Sequence, residues 1–155
     1  LAPRRTLCRA GEGNAARSVT TLLLDASVLL AAFDPEDDHH KPARGLLEDE
    51  ETSLATLDLA RYEVANVAVR AWHSPDSVVP LLAAVERLAD DGGVLASTVT
   101  LLARAAEVAE RHTISVYDAA YAAAADEGGH RLVSCDERDL VSKGLAVLPA
   151  GAQPK

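Results

Sequence analysis

Cysteine is scarce and long apolar runs are missing. The two cysteines, Cys8 and Cys135, form no CxxC pair. One sits in an unpatterned stretch and the other in a predicted buried strand, so both read as free thiols of a reducing compartment rather than a disulfide framework. No apolar run approaches the ~20 residues a membrane helix needs. The opening stretch LAPRRTLCRAGEGNAARS has arginines but no hydrophobic segment after them, so it is not expected to be a secretory signal. Together these features predict a cytoplasmic protein. Methionine is absent, so the chain starts without an initiator residue, and residues 1–18 are set aside as a tail or extension. Positive charge is also short: 15 Lys and Arg against 24 Asp and Glu give a net charge of −9. That argues against a broad basic face gripping nucleic acid. It leaves room for a nuclease that meets phosphate through a bound divalent metal. No internal repeat is present.

What is there suits one soluble domain. Of 155 residues, 48% are apolar and 25% charged, and a chain of this length buries roughly 70% of its unfolded surface. The organising stretch is Thr20–Ser27, TTLLLDAS, an apolar run that stops at Asp25. Such a run reads as a strand buried on both faces, with Asp25 at its carboxyl end, where open α/β sheets keep their ligand sites. A short helix over 28–33 follows, capped by Asp25 or Ser27. A second helix is predicted over 39–47, capped by Asp38, and then a weaker strand over 53–57. Asp58 is expected to cap a helix over 59–72, and Ser74-Pro75 to start another that ends near Ala89. A short strand over 94–96 precedes a helix from Thr98 or Thr100 to about His112. Ser115 opens an Ala-rich helix to about Asp126, stopped by Gly128-Gly129. A fourth strand over 131–135 ends at Asp136. A brief helix over 137–142 and a fifth strand over 145–148 close the domain. Short strands alternating with helices predict an α/β/α sandwich around a short, mostly parallel sheet.

Four carboxylates could converge on the carboxyl edge of that sheet. Asp25 and Asp136 each end a strand, and each could instead be an ordinary helix cap. Glu63 lies one turn into its helix, beside Asn66 and Arg70; an exposed glutamate favoured by the helix dipole is the plainer account. Ser115-x-x-Asp118 fits a capping box. Yet the AAYAAAA that follows Asp118 is apolar all round, as in a buried helix, and a buried Asp needs a partner. Asp139 could be a box partner of Asp136 or an extra ligand. The adjacent pair His39-His40 points to different helix faces, which argues against a shared metal site. Asp25, Glu63, Asp118 and Asp136 crowded together would repel. A hard cation with oxygen ligands, Mg²⁺ or Mn²⁺, relieves that repulsion and activates water for in-line attack on a phosphate. The chemistry indicated is that of a phosphodiesterase, most naturally a nuclease.

LLLDAS at the first strand, RYEVANV carrying Glu63, SVYDAAYAAAA carrying Asp118 and RLVSCDERDL carrying Asp136 resemble, in order and separation, the PIN-domain ribonucleases, specifically VapC-like toxins. The resemblance spans about Thr20–Pro149, with residues 19–150 as one PIN-like domain and 151–155 as a tail. It implies a Mg²⁺- or Mn²⁺-dependent endoribonuclease that cleaves cellular RNA and halts translation. It also implies a homodimer and inhibition by a cognate VapB-like antitoxin. Carried over, Asp25, Glu63, Asp118 and Asp136 would be the catalytic and metal-binding quartet, and Ser27 and Ser134 hydroxyls that orient carboxylates or water. The arginine-bearing extension departs from the family pattern. The acidic region Asp34–Glu51 is awkward for RNA and suits a basic antitoxin segment better. Two other readings stand beside this one. A haloacid-dehalogenase-type phosphatase wants a second Asp two residues after the first, where this chain has Ser27. A catalytically silent PIN-like binding module has no reason to gather repelling carboxylates.

Overall fold

The structure, a computed structural model, describes residues 20–91 and 93–153. The predicted tail 1–18, with Cys8 and the extension's arginines, lies outside the described residues. Four strands, β1 (Leu22–Leu24), β2 (Leu54–Leu57), β3 (Val94–Leu95) and β4 (Arg131–Val133), form one all-parallel sheet in the order β3-β2-β1-β4. The side chains of β1 alternate between two cores. Leu22 and Leu24 pack with α1 (Ala26–Phe33), α2 (His40–Glu48), α3 (Leu59–Arg70) and α4 (Val78–Asp91). Leu23 packs on the other face with α5 (Val99–His112) and α6 (Val116–Gly128). Both faces are therefore covered, and β1 reads as an unbroken apolar run because every residue of it is buried.

Three helix starts are capped as the sequence predicts. Asp25, Thr98 and Ser115 accept hydrogen bonds from the backbone N–H of Val28, Leu101 and Asp118. Others differ. The side chain of Asp37, not Asp38, accepts from the N–H of His39, and α2 begins without a side-chain cap. Asp58 does not cap α3; its carboxylate accepts from the N–H and hydroxyl of Ser97 instead. Ser74 bonds the Ser77 hydroxyl across a 3₁₀ turn, Pro75–Ser77. The brief helix after β4 is a π-helical turn, Glu137–Val141. The predicted fifth strand shrinks to one parallel bridge, Val147 to Val133. Val147 donates to the Leu132 carbonyl and accepts from the Ser134 N–H, both at 3.0 Å. Pro149, which has no N–H, then opens a 3₁₀ turn. His39 and His40 take separate partners, Glu137 and the Ala31 carbonyl. No helix of the described residues is long and apolar enough to cross a membrane.

Candidate active site

The sheet grows from β1 through β2 to β3 on one side, while β4 lies on the other. Strand order therefore reverses between β1 and β4, and open parallel sheets bind ligands at the carboxyl end of such a switch point. Asp25 stands there, only 5% exposed. Its N–H continues the ladder to the Val133 carbonyl at 3.2 Å. The Ser27 hydroxyl donates to Asp25 Oδ1 and the Ser134 hydroxyl to Asp25 Oδ2, each at 2.5 Å. Both serines are also acceptors. Ser27 takes the N–H of Cys135 and Ser134 that of Asp136, both at 2.9 Å. The two hydroxyls thus tie the end of β1 to the end of β4 and hold Asp25 by both oxygens. Burial nevertheless outweighs these donors and pushes Asp25 up to about 6, with the Asp118 charge adding to the rise.

Glu63 reaches the same edge from α3. Burial pushes it up to about 7, the Tyr121 hydrogen bond opposes this, and the charges of Asp25 and Asp118 add to it. The Tyr121 hydroxyl donates to Glu63 Oε2 at 2.6 Å. Tyr121 is 1% exposed, and its phenol is raised far above its usual range by burial first and by Glu63 second. It sits three residues after Asp118 on α6, so one helix carries a site carboxylate and the clamp on another. The sequence reading missed Tyr121. The only available signal was a hydroxyl inside an otherwise aliphatic, buried run, since a buried phenol needs a partner.

Asp118, Asp136 and Asp139 form the outer part of the site. One oxygen from each lies within 4.8 Å of the others. Asp118 Oδ2 accepts from the Ser115 hydroxyl at 2.6 Å. Its carboxyl is raised by burial and by Asp136 and Asp139, against the Ser115 hydrogen bond. Asp136 Oδ1 accepts from the N–H of Asp139 at 2.9 Å, the cap expected of it. Asp139 differs from the rest. Arg138 holds both of its oxygens, at 3.2 and 2.7 Å, and keeps its carboxyl below the usual range. The guanidinium therefore competes with a cation for Asp139. Cys135, beside the site, has its thiol pushed up to about 12 by burial, so it is not a ready nucleophile.

The structure thus gathers Asp25, Glu63, Asp118 and Asp136 around one strand-order switch, with Ser27 and Ser134 beneath Asp25. Asp58 belongs elsewhere, locking the β3–α5 connection through Ser97. The donor set is hard oxygen, and three carboxyls are raised by burial first and by neighbouring carboxylates second. These residues fit a divalent cation of the Mg²⁺ or Mn²⁺ type. On Glu63, Asp118 and Asp136, one oxygen is committed to a protein donor while the other has no protein donor among the described residues.

The PIN-domain family matches residues 22–143. The chain is 36% identical over 133 residues to Ribonuclease VapC3 of Pyrobaculum aerophilum, an alignment covering 82% of this chain and 97% of that protein. In fold it is similar to VapC20 of Mycobacterium tuberculosis, a Sarcin-Ricin loop cleaving toxin. The TM-score is 0.67 and the identity 22%, over 79% of this chain and 95% of that one. A toxin–antitoxin complex from Klebsiella pneumoniae is also similar, with a TM-score of 0.60 and 17% identity over 83% and 97% of the two chains. With its all-parallel sheet and its carboxylates at the strand-order switch, the chain belongs to the PIN-domain family as a VapC-like member.

Proposed function

We propose that this protein is a divalent-metal-dependent endoribonuclease, the toxin of a toxin–antitoxin pair, which cleaves cellular RNA in the cytoplasm and so inhibits translation. The observation that carries the reading is the gathering of carboxylates at one sheet edge: Asp118, Asp136 and Asp139 each bring an oxygen within 4.8 Å of the others, and Asp25 and Glu63, raised first by burial, are raised further by the charge of Asp118. The relative named a ribonuclease supports RNA as substrate, and the neighbour solved as a toxin–antitoxin complex supports a VapB-like antitoxin as partner. PIN-family membership leaves the phosphatase reading without support.

Asp25, Glu63, Asp118 and Asp136 would hold Mg²⁺ or Mn²⁺, with Asp139 beside them as an extra ligand in competition with Arg138. When bound, such an ion lowers the pKa of water and offsets charge on a phosphate. The protein's own part is to fix the ligands. Ser27 and Ser134 hold both oxygens of Asp25, and the Tyr121 hydroxyl holds Glu63 Oε2, leaving Oε1 to ligate or to take a proton. Ser115 fixes one oxygen of Asp118 in the same way. A homodimer has a face to use. Tyr62 (77% exposed) and Tyr117 (63% exposed) border an apolar cavity of about 620 Å³ with Leu102 and Val116. Sedimentation of Tyr62→Asp checks this: a variant still dimeric removes that face.

The deciding experiment is incubation of purified, antitoxin-free protein with total cellular RNA in Mg²⁺, Mn²⁺ or EDTA, beside Asp25→Ala. Discrete fragments that need both metal and Asp25 are expected. No cleavage by the folded protein in either metal would return the chain to the silent binding module. In a bacterial host, expression should stop protein synthesis for the wild type and not for Asp25→Ala.

A further inference from the structure

Residues 20–153 hold only ten Lys and Arg, so a polyanion has few places to rest. Two of them, Arg104 and Arg111, line one groove with two histidines, and a third, Lys143, is held beside it. Arg104, Arg111 and His112 of α5 and His130 at the foot of β4 line a cavity of about 370 Å³ along α6. Lys143 stands at its mouth beside Gly144. Its Nζ donates to the carbonyls of His112 and Thr113 at 2.6 and 3.3 Å, so the ammonium is fixed at the end of α5. The charge of Lys143 also reaches Asp139, and that of Arg138 reaches Asp118. The cations therefore begin at the carboxylate cluster and run away from it. A preference of helix carboxyl ends for basic residues accounts for Arg111, His112 and Lys143. It does not account for Arg104, in the second turn of α5, or for His130. At the far end Asp126 and Glu127 pair with Arg104, which leaves Arg111 and Lys143 as the cations near the site that form no salt bridge among the described residues.

We propose that this groove binds the phosphodiester backbone of RNA on one side of the cleaved linkage, with Arg111 and Lys143 as its principal phosphate contacts. The proposal rests on the ribonuclease reading and adds where an acidic protein grips its substrate. Phosphate contacts give sequence-independent, salt-dependent affinity and set the strand's direction relative to the carboxylates. A strand laid here meets the site from the Asp139 side.

The test uses the full chain carrying Asp25→Asn, so that RNA survives, and a fluorescent single-stranded RNA of mixed sequence. Adding Arg111→Ala and Lys143→Ala should weaken binding about tenfold at low salt. It should also flatten the slope of log affinity against log salt by about 0.7 for each lost contact. Lys41→Ala with Arg87→Ala removes the same charge elsewhere and should change little. Arg111→Ala alone keeps the test open should Lys143→Ala loosen α5, and it should give about half the change in slope. Unchanged affinity and slope in folded groove variants overturn the proposal alone. An equal loss in the Lys41/Arg87 control also overturns it, because the effect is then diffuse charge. Groove variants that keep RNA but lose a poly-glutamate peptide would assign the groove to an acidic protein segment and overturn it too. A parent that binds no RNA overturns it together with the ribonuclease reading.

Discussion

Asp25 accepts two hydroxyls and a backbone N–H, yet its carboxyl is still pushed up to about 6. Burial dominates, and this has a measurable sign. The folded pKa lies above the ordinary 3.8, so the contribution to stability is fully present below pH 4 and is lost as pH rises through about 6. Glu63, pushed up to about 7, acts in the same direction over a slightly higher window. In metal-free buffer, the stability of Asp25→Asn relative to wild type should therefore rise between pH 4 and pH 7, by on the order of 2–3 kcal/mol. Denaturant titrations of both proteins at the two pH values measure it; a difference independent of pH would mean Asp25 is ionised throughout. Tyr121 invites a second substitution. Tyr121→Phe keeps the buried ring and removes the donor to Glu63 Oε2. Outer partners of metal ligands typically tune affinity roughly 10–100-fold, so calorimetry with Mn²⁺ should show a loss of that size with the fold kept. Unaltered Mn²⁺ affinity would reduce the hydroxyl to a packing role. Neither residue was equally legible beforehand. Asp25 announces itself by ending an apolar run, whereas the partner of Tyr121 lies 58 positions away in the chain.

Among the elements, those whose cause is local were readable and those whose cause is distant were not. β1 shows as Leu22-Leu23-Leu24 because both of its faces are covered, and α6 shows as an apolar run for the same reason. Asp58 precedes a helix just as a cap would, but the N–H and hydroxyl that it binds belong to Ser97, 39 residues on. The stretch after Gly144 has a strand's composition. It lies outside β4 at the sheet's edge, and Pro149 cuts it to a single bridged residue. The ends of α6 can be tested. Gly129 closes the helix at φ 63°, in the left-handed region, and its N–H bonds back to the Ala125 and Asp126 carbonyls. A side chain there costs about 1–2 kcal/mol, so Gly129→Ala should lower stability by about 1 kcal/mol in chemical denaturation. No loss would mean that the turn relaxes out of that region. Ser115, at the other end, both caps α6 and bonds Asp118, so the helix start and the site carboxylate are set by one hydroxyl.

For the whole molecule, the sheet order, the two cores and the carboxylate edge form one device. The strand-order reversal at β1 and β4 brings Asp25 beside Ser134 and Asp136, and both helical layers contribute to the same edge, α3 with Glu63 and α6 with Asp118. A ligand that binds only this folded arrangement stabilises it by mass action. Mn²⁺ at 100 times its dissociation constant should add ~2.7 kcal/mol, visible as a thermal shift that Glu63→Gln and Asp25→Asn diminish. The absence of any shift in the wild type would count against the metal reading as a whole. The fold class and the positions of Asp25 and Asp136 follow from apolar runs that end in a carboxylate, which a reader of the sequence can find. The hydroxyls that aim those carboxylates follow from tertiary packing. The repulsion built into the carboxylate edge also has an evolutionary reading. A substitution that removes one of these buried charges but keeps its hydrogen bonds, as Asp25→Asn does in part, disarms the site while easing the burial cost, so inactive descendants should arise easily and persist as sound, abundant protein. Lineages that keep the four carboxylates must then be held there by selection for what the site does, since chain stability alone would let them drift away.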